Sequence, residues 1–502
     1  MQIVLDKNGA VPLYRQLVRQ LRDQITEGRL AAHYRLPSER NLAAQLGINR
    51  TTVLQAYRQL RDEGFIASHV GKGTFVQDRA QAAPPITHNP PWPLLFSDYS
   101  NRFTYHDLAS ANQAQNLTGV IDFATGSPNP QAIPDELLRQ VSLKAFASHD
   151  FDGQPESPIE GFPELRELLA RHMRRDRAIR CEPGNIMVLS GSEQGIDLCV
   201  RAFINPGDCI LVEQYTFFPA LQAFRSAGAR VVAVPMDGNG MRTDLLDAYC
   251  ARFHPKLIYT IPTFHNPTGT TMPADRRCTL LETAMRNQCL ILEDDPYGEL
   301  AYATGGMGNR DIANPVVTPL KGMENSGYVV YLSTFSKTVA PGLRTGWLIA
   351  DTHVVSRLAA LRTLVDQHTS SSSQRICIQL LRANLVSEHV KRLRDDNAKK
   401  LEAFCTAMAR YAKNRLLWSR PAGGYYVWAS LPPGMHGETV LNAARRRGVS
   451  FMPGCIFDAD GDDDSHVRLN FIRPELAEID PGVRRLVASL EDVQESGCSD
   501  RT

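Results

Sequence analysis

The sequence predicts two domains: a small α+β domain of three helices and a β-wing, followed by a large α/β domain. Three observations carry this. The 502 residues are too many for one ordinary hydrophobic core. Residues 1–78 show three short amphipathic helical periods and then an alternating run, whereas from Val120 short apolar runs alternate with helical patterns, the signature of a largely parallel sheet. Between them lies the proline-rich stretch AAPPITHNPPWP. The domains are therefore expected at 1–78 and 119–502, with a linker over 79–118.

Hydrophobic content of 43% and charged content of 22% are those of a globular protein in water. No uninterrupted apolar run reaches the roughly 18 residues of a membrane span, and the start, MQIVLDKNGA, has no basic-then-apolar signal pattern. A cytoplasmic protein without a membrane partner is expected. All ten cysteines lie from Cys181 onward, with no CxxC pair, so neither a disulfide framework nor a metal site is expected. Charge is uneven: residues 1–78 carry 11 Lys and Arg against 7 Asp and Glu, or +4, and the remainder carries 44 against 47, or −3. A basic head on a faintly acidic body points to a polyanion for the head alone.

In the head, Pro12 opens a helix whose apolar positions are Leu13, Leu17, Val18, Leu21 and Ile25, stopped near Gly28. Ser38 is an N-cap for a second, short helix ending at Gly47, and Asn49 caps a third with Val53, Tyr57 and Leu60 inward. FIASHVGKGTFV then alternates as a two-stranded hairpin with its tip at Gly71-Lys72-Gly73. Three helices and a wing make a winged helix-turn-helix. Only Gly47-Ile48 separates the second and third helices, the spacing that lays the third in a DNA major groove with Arg50, Thr51 and Thr52 outward. The run from Leu36 to Val76 resembles the GntR-type winged-helix domain along its whole length. That resemblance implies binding of double-stranded DNA through Arg40 and Arg50, assisted by Thr51, Thr52, Gly71 and Lys72. Leu54 stands where some relatives carry another DNA-contacting arginine, so their site preference does not transfer.

The linker prolines predict an extended, partly polyproline II segment. Trp92, Phe96, Tyr99, Phe103 and Tyr105 make it too aromatic for a bare tether, so part of it is expected against a domain surface.

In the body, Ile186–Leu189, Cys209–Val212, Leu257–Ile261 and Leu290–Glu293 read as strands that end in motif-bearing loops, where ligands of open α/β sheets bind. The run Tyr328–Leu332 empties into a Ser/Thr-rich loop holding Lys337, where partial desolvation would lower the amine's pKa and let it condense with an aldehyde. Thr334, Ser336 and Arg344 around it suit a phosphate on that aldehyde. Ser192 and Glu193, opening a helix after Ser190-Gly191, make either a phosphate cradle or a plain helix cap. A side-chain amide at Asn266 precedes a Pro/Gly turn, and Glu293-Asp294-Asp295 puts carboxylates at a strand end.

YLSTFSKTVAPGLRTGW, HNPTG and EDDPY resemble the corresponding segments of the class I aminotransferases, the fold-type I pyridoxal 5′-phosphate (PLP) proteins. The resemblance implies PLP on Lys337. It implies Phe217 stacked on the pyridine, Asn266 and Tyr297 on its phenolate oxygen, and Asp294 on its ring nitrogen, with Asp295 as the alternative if the register is one residue off. It further implies Arg468 of VRLNF as a clamp for an amino-acid carboxylate. Relatives carry a Tyr before the glycine of a G-x-x-x-LR segment; here FDGQPESPIE precedes Gly161, and Phe151 is the candidate replacement.

A GntR-like head on an aminotransferase-like body resembles the MocR subfamily of regulators. This implies a homodimer, with heads swapped between subunits in many members. It implies a transcriptional regulator that senses an amino acid, an amine or PLP itself through aldimine chemistry at Lys337. A catalytically active aminotransferase carrying a DNA-binding head is the alternative, with Lys337 as proton shuttle.

Overall fold

A computed structural model describes residues 3–7, 11–69, 73–77, 92–102, 119–147, 156–302 and 317–499. The chain divides into two compact units, Met1–Leu95 and Phe96–Thr502.

The first unit is built by local rules. Helix α1 (Leu13–Thr26) starts after Pro12 and buries Leu17, Val18 and Leu21. Helix α2 (Glu39–Leu46) is capped by the Ser38 side chain, which accepts from the Asn41 N–H at 3.2 Å, and ends at Gly47 in the left-handed region. Helix α3 (Arg50–Asp62) is capped by Asn49 and turns Val53, Ala56, Tyr57 and Leu60 inward. The wing has one strand more than the alternation predicts. The short strand β1 (Arg35–Leu36) pairs antiparallel with β3 (Gly73–Val76), which pairs with β2 (Ile66–His69). Two residues carry too little pattern to announce a strand, and by sequence this stretch reads as a loop. The predicted tip residues Gly71 and Lys72 lie outside the described residues.

Of the linker, 92–102 is described: Trp92–Leu95 and Asp98–Asn101 each form one helical turn in place of extended chain. Leu95, Phe96 and Tyr99 remain exposed, against the expectation of packing. Residues 84–91, Phe103 and Tyr105 lie outside the described residues.

The body is a seven-stranded sheet with strands β4 (Ile186–Leu189), β5 (Cys209–Glu213), β6 (Arg230–Val234), β7 (Leu257–Thr260), β8 (Leu290–Asp294), β9 (Val329–Thr334) and β10 (Gly346–Ile349), in spatial order β4-β10-β9-β8-β7-β5-β6. The ladders joining β9, β8, β7, β5 and β6 are parallel; β10 runs antiparallel to both β9 and β4. Because successive side chains alternate faces, Ile210 and Val212 enter one apolar cluster while Cys209 and Leu211 enter another. A sheet covered on both faces needs such near-continuous apolar strands. Helix α4 (Pro163–Arg177) precedes the sheet; α5 (Ser192–Phe203) and α6 (Phe218–Ser226) follow β4 and β5.

The 27-residue helix α7 (Leu385–Tyr411) leads to a second, antiparallel sheet of β11 (Leu417–Trp418), β12 (Tyr426–Ser430), β13 (Met452–Pro453) and β14 (His466–Asn470), in order β11-β12-β14-β13, and α8 (Leu476–Ser499) packs on α7. Among the described residues no helix is long and apolar enough to cross a membrane.

Helix α5 lies so close to the sheet that a Cβ at Gly195 would stand 2.5 Å from Leu332 Cδ2 and 2.8 Å from Leu189 Cδ1. Gly195→Ala is expected to destabilise the body by about 1–3 kcal/mol through overpacking, read as a lowered urea midpoint.

Candidate functional site

The parallel strands end on one side of the sheet, and their loops line a cavity of about 330 Å³. Gly191, Ser192 and Glu193 come from the loop after β4, Phe217 from that after β5, and Ile261 and Asn266 from that after β7. Asp294, Pro296 and Tyr297 follow β8; Thr334, Ser336 and Lys337 follow β9; Arg344 closes the turn into β10, and Arg468 reaches in from β14. Every body residue proposed from the sequence is thus brought to one cavity, although Asn266 and Arg468 are 202 positions apart.

Lys337 Nζ donates to the Gly126 carbonyl oxygen at 2.7 Å and stands 6.0 Å from the Tyr297 ring centre. Its main-chain carbonyl is held by the Tyr425 hydroxyl at 2.6 Å. Arg344 donates to Ser190 O at 3.1 Å beside Gly191, whose φ of +115° and lack of Cβ admit it; a Cβ there would meet the guanidinium at 2.6 Å. No side chain caps the start of α5 at Ser192, so its first N–H groups and positive dipole end face the cavity. Asn266 accepts from Arg468 Nη1 at 3.0 Å through its side-chain oxygen, which leaves its amide N–H groups for the cavity. Arg468 also donates to Ala124 O at 2.7 Å, and its guanidinium lies 4.3 Å from the Tyr426 ring centre and 4.7 Å from that of Phe457.

The two consecutive carboxylates part company. Asp294 Oδ2 accepts from the Tyr259 hydroxyl at 2.8 Å, and its Oδ1 is buried with no partner in the wall of the cavity. Burial lifts this carboxyl to about 7, the Tyr259 hydrogen bond opposing and the neighbouring Asp295 charge adding. Asp295 points away: its Oδ2 accepts from Arg177 Nη2 at 2.5 Å and from the Tyr331 hydroxyl at 3.0 Å. Arg177 also donates to Gly298 O at 2.7 Å, and a Cβ at Gly298 would run into this ion pair. One residue on, Glu299 Oε1 lies 2.8 Å from His172 Nε2, while Asp176 Oδ2 lies 2.8 Å from Nδ1. A carboxylate on each ring nitrogen is the arrangement of an imidazolium rather than of a metal ligand. Burial works against that charge, but Glu299 and Asp176 together raise the imidazole to about 9.

Sequence reasoning missed Tyr259, Tyr425 and Arg177. Both tyrosines sit in strand-like apolar runs and read as core; the helix bearing Arg177 carries no motif. It also missed the Thr125-Gly126-Ser127 loop in the cavity wall, which the Gly/Ser/Pro composition of TGSPNP could have flagged. Phe151 lies outside the described residues.

In the first unit, Arg40, Arg50 and Thr51 are exposed and Thr52 half-buried at the starts of α2 and α3, with Arg50 Nη2 3.5 Å from Glu39 of α2. Two further cations stand near this face. Lys7 Nζ donates to Gly47 O at 2.9 Å in the turn, and the Arg35 guanidinium lies against Gly73 at the base of the wing.

A GntR-type winged helix joined to a fold-type I aminotransferase body defines the class. Residues 13–76 match the family described as bacterial regulatory proteins, gntR family, and residues 119–486 match aminotransferase class I and II. The HTH-type transcriptional regulator YisV of Bacillus subtilis (strain 168) is 31% identical over 482 residues, covering 95% of this chain and 96% of that protein. The probable rhizopine catabolism regulatory protein MocR of Rhizobium meliloti is 28% identical, over 90% of this chain and 88% of its own. Aromatic-amino-acid aminotransferase 1 of Thermococcus litoralis is 35% identical, over 79% and 95%. Among solved structures, the α-aminoadipate aminotransferase LysN of Thermus thermophilus, complexed with N-(5′-phosphopyridoxyl)-L-leucine, aligns with a TM-score of 0.73 at 28% identity, over 80% of this chain and 99% of that one. The chain belongs to the MocR-type GntR regulators, whose body is of the aminotransferase class I and II family. The GntR head implies DNA as a partner, and the body implies PLP as its cofactor. The residues present fit that group: an uncapped helix start with a guanidinium against a glycine suits the phosphate, an orphaned carboxylate oxygen suits a pyridinium N–H, and an amine stands in the same cavity.

Two outcomes follow from the buried charges. Arg177→Met strands the Asp295 carboxylate and is expected to cost about 3–5 kcal/mol in urea unfolding. Arg177→Lys costs less, because the charge stays. His172, raised from 6.5 to about 9, contributes stability that is complete below the ordinary histidine value and lost as pH rises through about 9. The stability difference between wild type and His172→Gln should therefore shrink between pH 6.5 and 9, measured by unfolding at each pH.

Proposed function

We propose that this protein is a PLP-dependent, DNA-binding transcriptional regulator whose aminotransferase-like body senses a primary amine or amino acid, or PLP itself, at Lys337. The observation that carries this reading is the convergence, in one cavity, of a lysine amine, an orphaned buried carboxylate oxygen and two arginines, in a chain that also bears a GntR head.

When bound, the cofactor supplies an aldehyde carbon that captures amines and a protonated ring that withdraws electrons. Every other part belongs to the chain. Ser192, the N–H groups at the start of α5, Thr334, Ser336 and Arg344 hold the phosphate. Phe217 and Ile261 cover the ring. Asp294 keeps the ring nitrogen protonated, and Tyr259 holds that carboxylate in place through its other oxygen. Asn266 and Tyr297 orient the phenolate oxygen, and Tyr426, 3.0 Å from the Tyr297 hydroxyl, fixes the latter. Lys337 carries the amine, with Tyr425 and Gly126 setting its backbone and its tip. Arg468 receives a ligand carboxylate.

In the head, Arg40, Arg50, Thr51 and Thr52 meet phosphates and base edges, with Lys7 and Arg35 adding to the electrostatic footprint. The protein acts as a homodimer with a head for each half-site. Ligand binding biases the heads only as far as it favours one body state over another.

A second reading, a working aminotransferase carrying the head, is favoured by the completeness of the cavity and by the 35% identity to an aromatic-amino-acid aminotransferase. There Lys337 would hold and return the proton at the substrate's α-carbon.

Wild type and Lys337→Ala are incubated with PLP, dialysed, and compared by near-visible absorbance and by affinity for a duplex selected from random-sequence DNA. Wild type is expected to keep the cofactor and Lys337→Ala to lose it. An amine that changes the wild-type spectrum is expected to change its DNA affinity, and the DNA to change the amine's affinity by the same factor. Sustained release of a keto acid without any effect on DNA affinity supports the enzyme. Failure of wild type to keep PLP sinks both readings.

A further inference from the structure

The cavity is chemically divided. Its charged side chains among the described residues are Glu193, Asp294, Lys337, Arg344 and Arg468. The first four belong to the cofactor set assigned above, so Arg468 is the one charge left for a ligand. It is built for that: buried at 6% exposure, gripped between the ring faces of Tyr426 and Phe457, and with Nε buried and lacking a partner. Around it the lining is apolar. Phe218, Met452, Ile456 and Phe457 form a wall that continues into a small core cluster with Ala124, Tyr215 and Trp428. The next cations, Arg225 and Arg445, line an adjoining cavity that shares Phe218, Met452 and Ile456 as a partition. There they stand with two carboxylates, Glu438 and Asp458, and Arg225 already donates to Ala459 O at 2.7 Å.

A ligand carrying one carboxylate finds one guanidinium. A second carboxylate, or a distal ammonium, would have to be buried against aromatic and aliphatic groups with no partner, which is strongly unfavourable. We propose that the ligand sensed by this body is an α-amino acid with a single carboxylate and an uncharged apolar side chain, of the leucine or phenylalanine kind. The inference rests on the amine-sensing role proposed above and names its ligand class. The carboxylate sits on Arg468 and the side chain on the Phe218–Met452–Ile456–Phe457 wall. Dicarboxylic amino acids, diamino acids and amines without a carboxylate each forgo one of these contacts or bury an unpaired charge.

Full-length protein holding PLP is titrated with L-leucine, L-phenylalanine, L-glutamate, L-lysine and 2-phenylethylamine, following cofactor absorbance and thermal unfolding temperature. L-leucine or L-phenylalanine is expected to half-saturate the response at a concentration at least tenfold below that of the other three. Arg468→Met should remove the advantage of L-phenylalanine over 2-phenylethylamine. Ile456→Arg, or Met452→Lys where the first variant folds poorly, should narrow the gap between L-leucine and L-glutamate. A response led by L-glutamate, L-lysine or 2-phenylethylamine overturns the inference and leaves the sensing role standing. Silence toward all five compounds, in protein that holds PLP through Lys337, overturns both.

Discussion

The separation of Asp294 from Asp295 is the constraint on which the body's site depends. A strand sends successive side chains to opposite faces, so two adjacent carboxylates at the end of β8 must find two different environments. Both are buried, and leaving two buried carboxylates unpaired would cost more than the fold could offset. Asp295 is neutralised by Arg177 and anchored by Tyr331; Asp294 keeps one oxygen on Tyr259 and turns the other, unpartnered, to the cavity. The same contacts hold the following loop. Arg177 takes Gly298 O, Arg394 takes Glu299 O at 2.5 Å, and His172 lies between Glu299 and Asp176, so Tyr297 enters the cavity from a loop fixed on both sides.

Topology then gathers the remaining groups. Parallel strands deliver their following loops to one edge of the sheet, which is how residues from five strands meet. The antiparallel strand β10 has a separate use. By reversing direction straight after the Lys337 loop and inserting between β9 and β4, it carries Arg344 to Gly191 and the start of α5. The fit is tight enough that a Cβ at Gly346 would stand 2.8 Å from Ser333 O and 3.0 Å from Ser192 N.

The second sheet makes the site selective. Trp428 and Met452 flank Arg468 across the β12, β14 and β13 ladders, so the guanidinium and the apolar groups beside it are set by one register. A slip of one residue would send Arg468 to the opposite face. Sensing and transamination would both use these groups, so function here is a property of what the captured amine does next, not of the fold.

What the sequence determined by itself is whatever depends on neighbours within about four positions. The caps at Ser38 and Asn49, the left-handed Gly47, the helix periods of the head and the loops bearing Asn266, Asp294, Tyr297, Lys337 and Arg344 were all legible, because capping, turn chemistry and periodicity are short-range. The two-residue strand β1 was not, since its evidence is a pairing with β3 some 40 residues on. Nor could the sequence choose between Asp294 and Asp295, which are equivalent to any local rule. Arg177, 118 residues earlier, and Tyr259, 35 residues earlier, decide between them. The apolar wall beside Arg468 likewise exists only once Phe218 and Met452 are brought together. Tertiary structure decided these points because burial makes each charge depend on a partner that only the folded chain supplies.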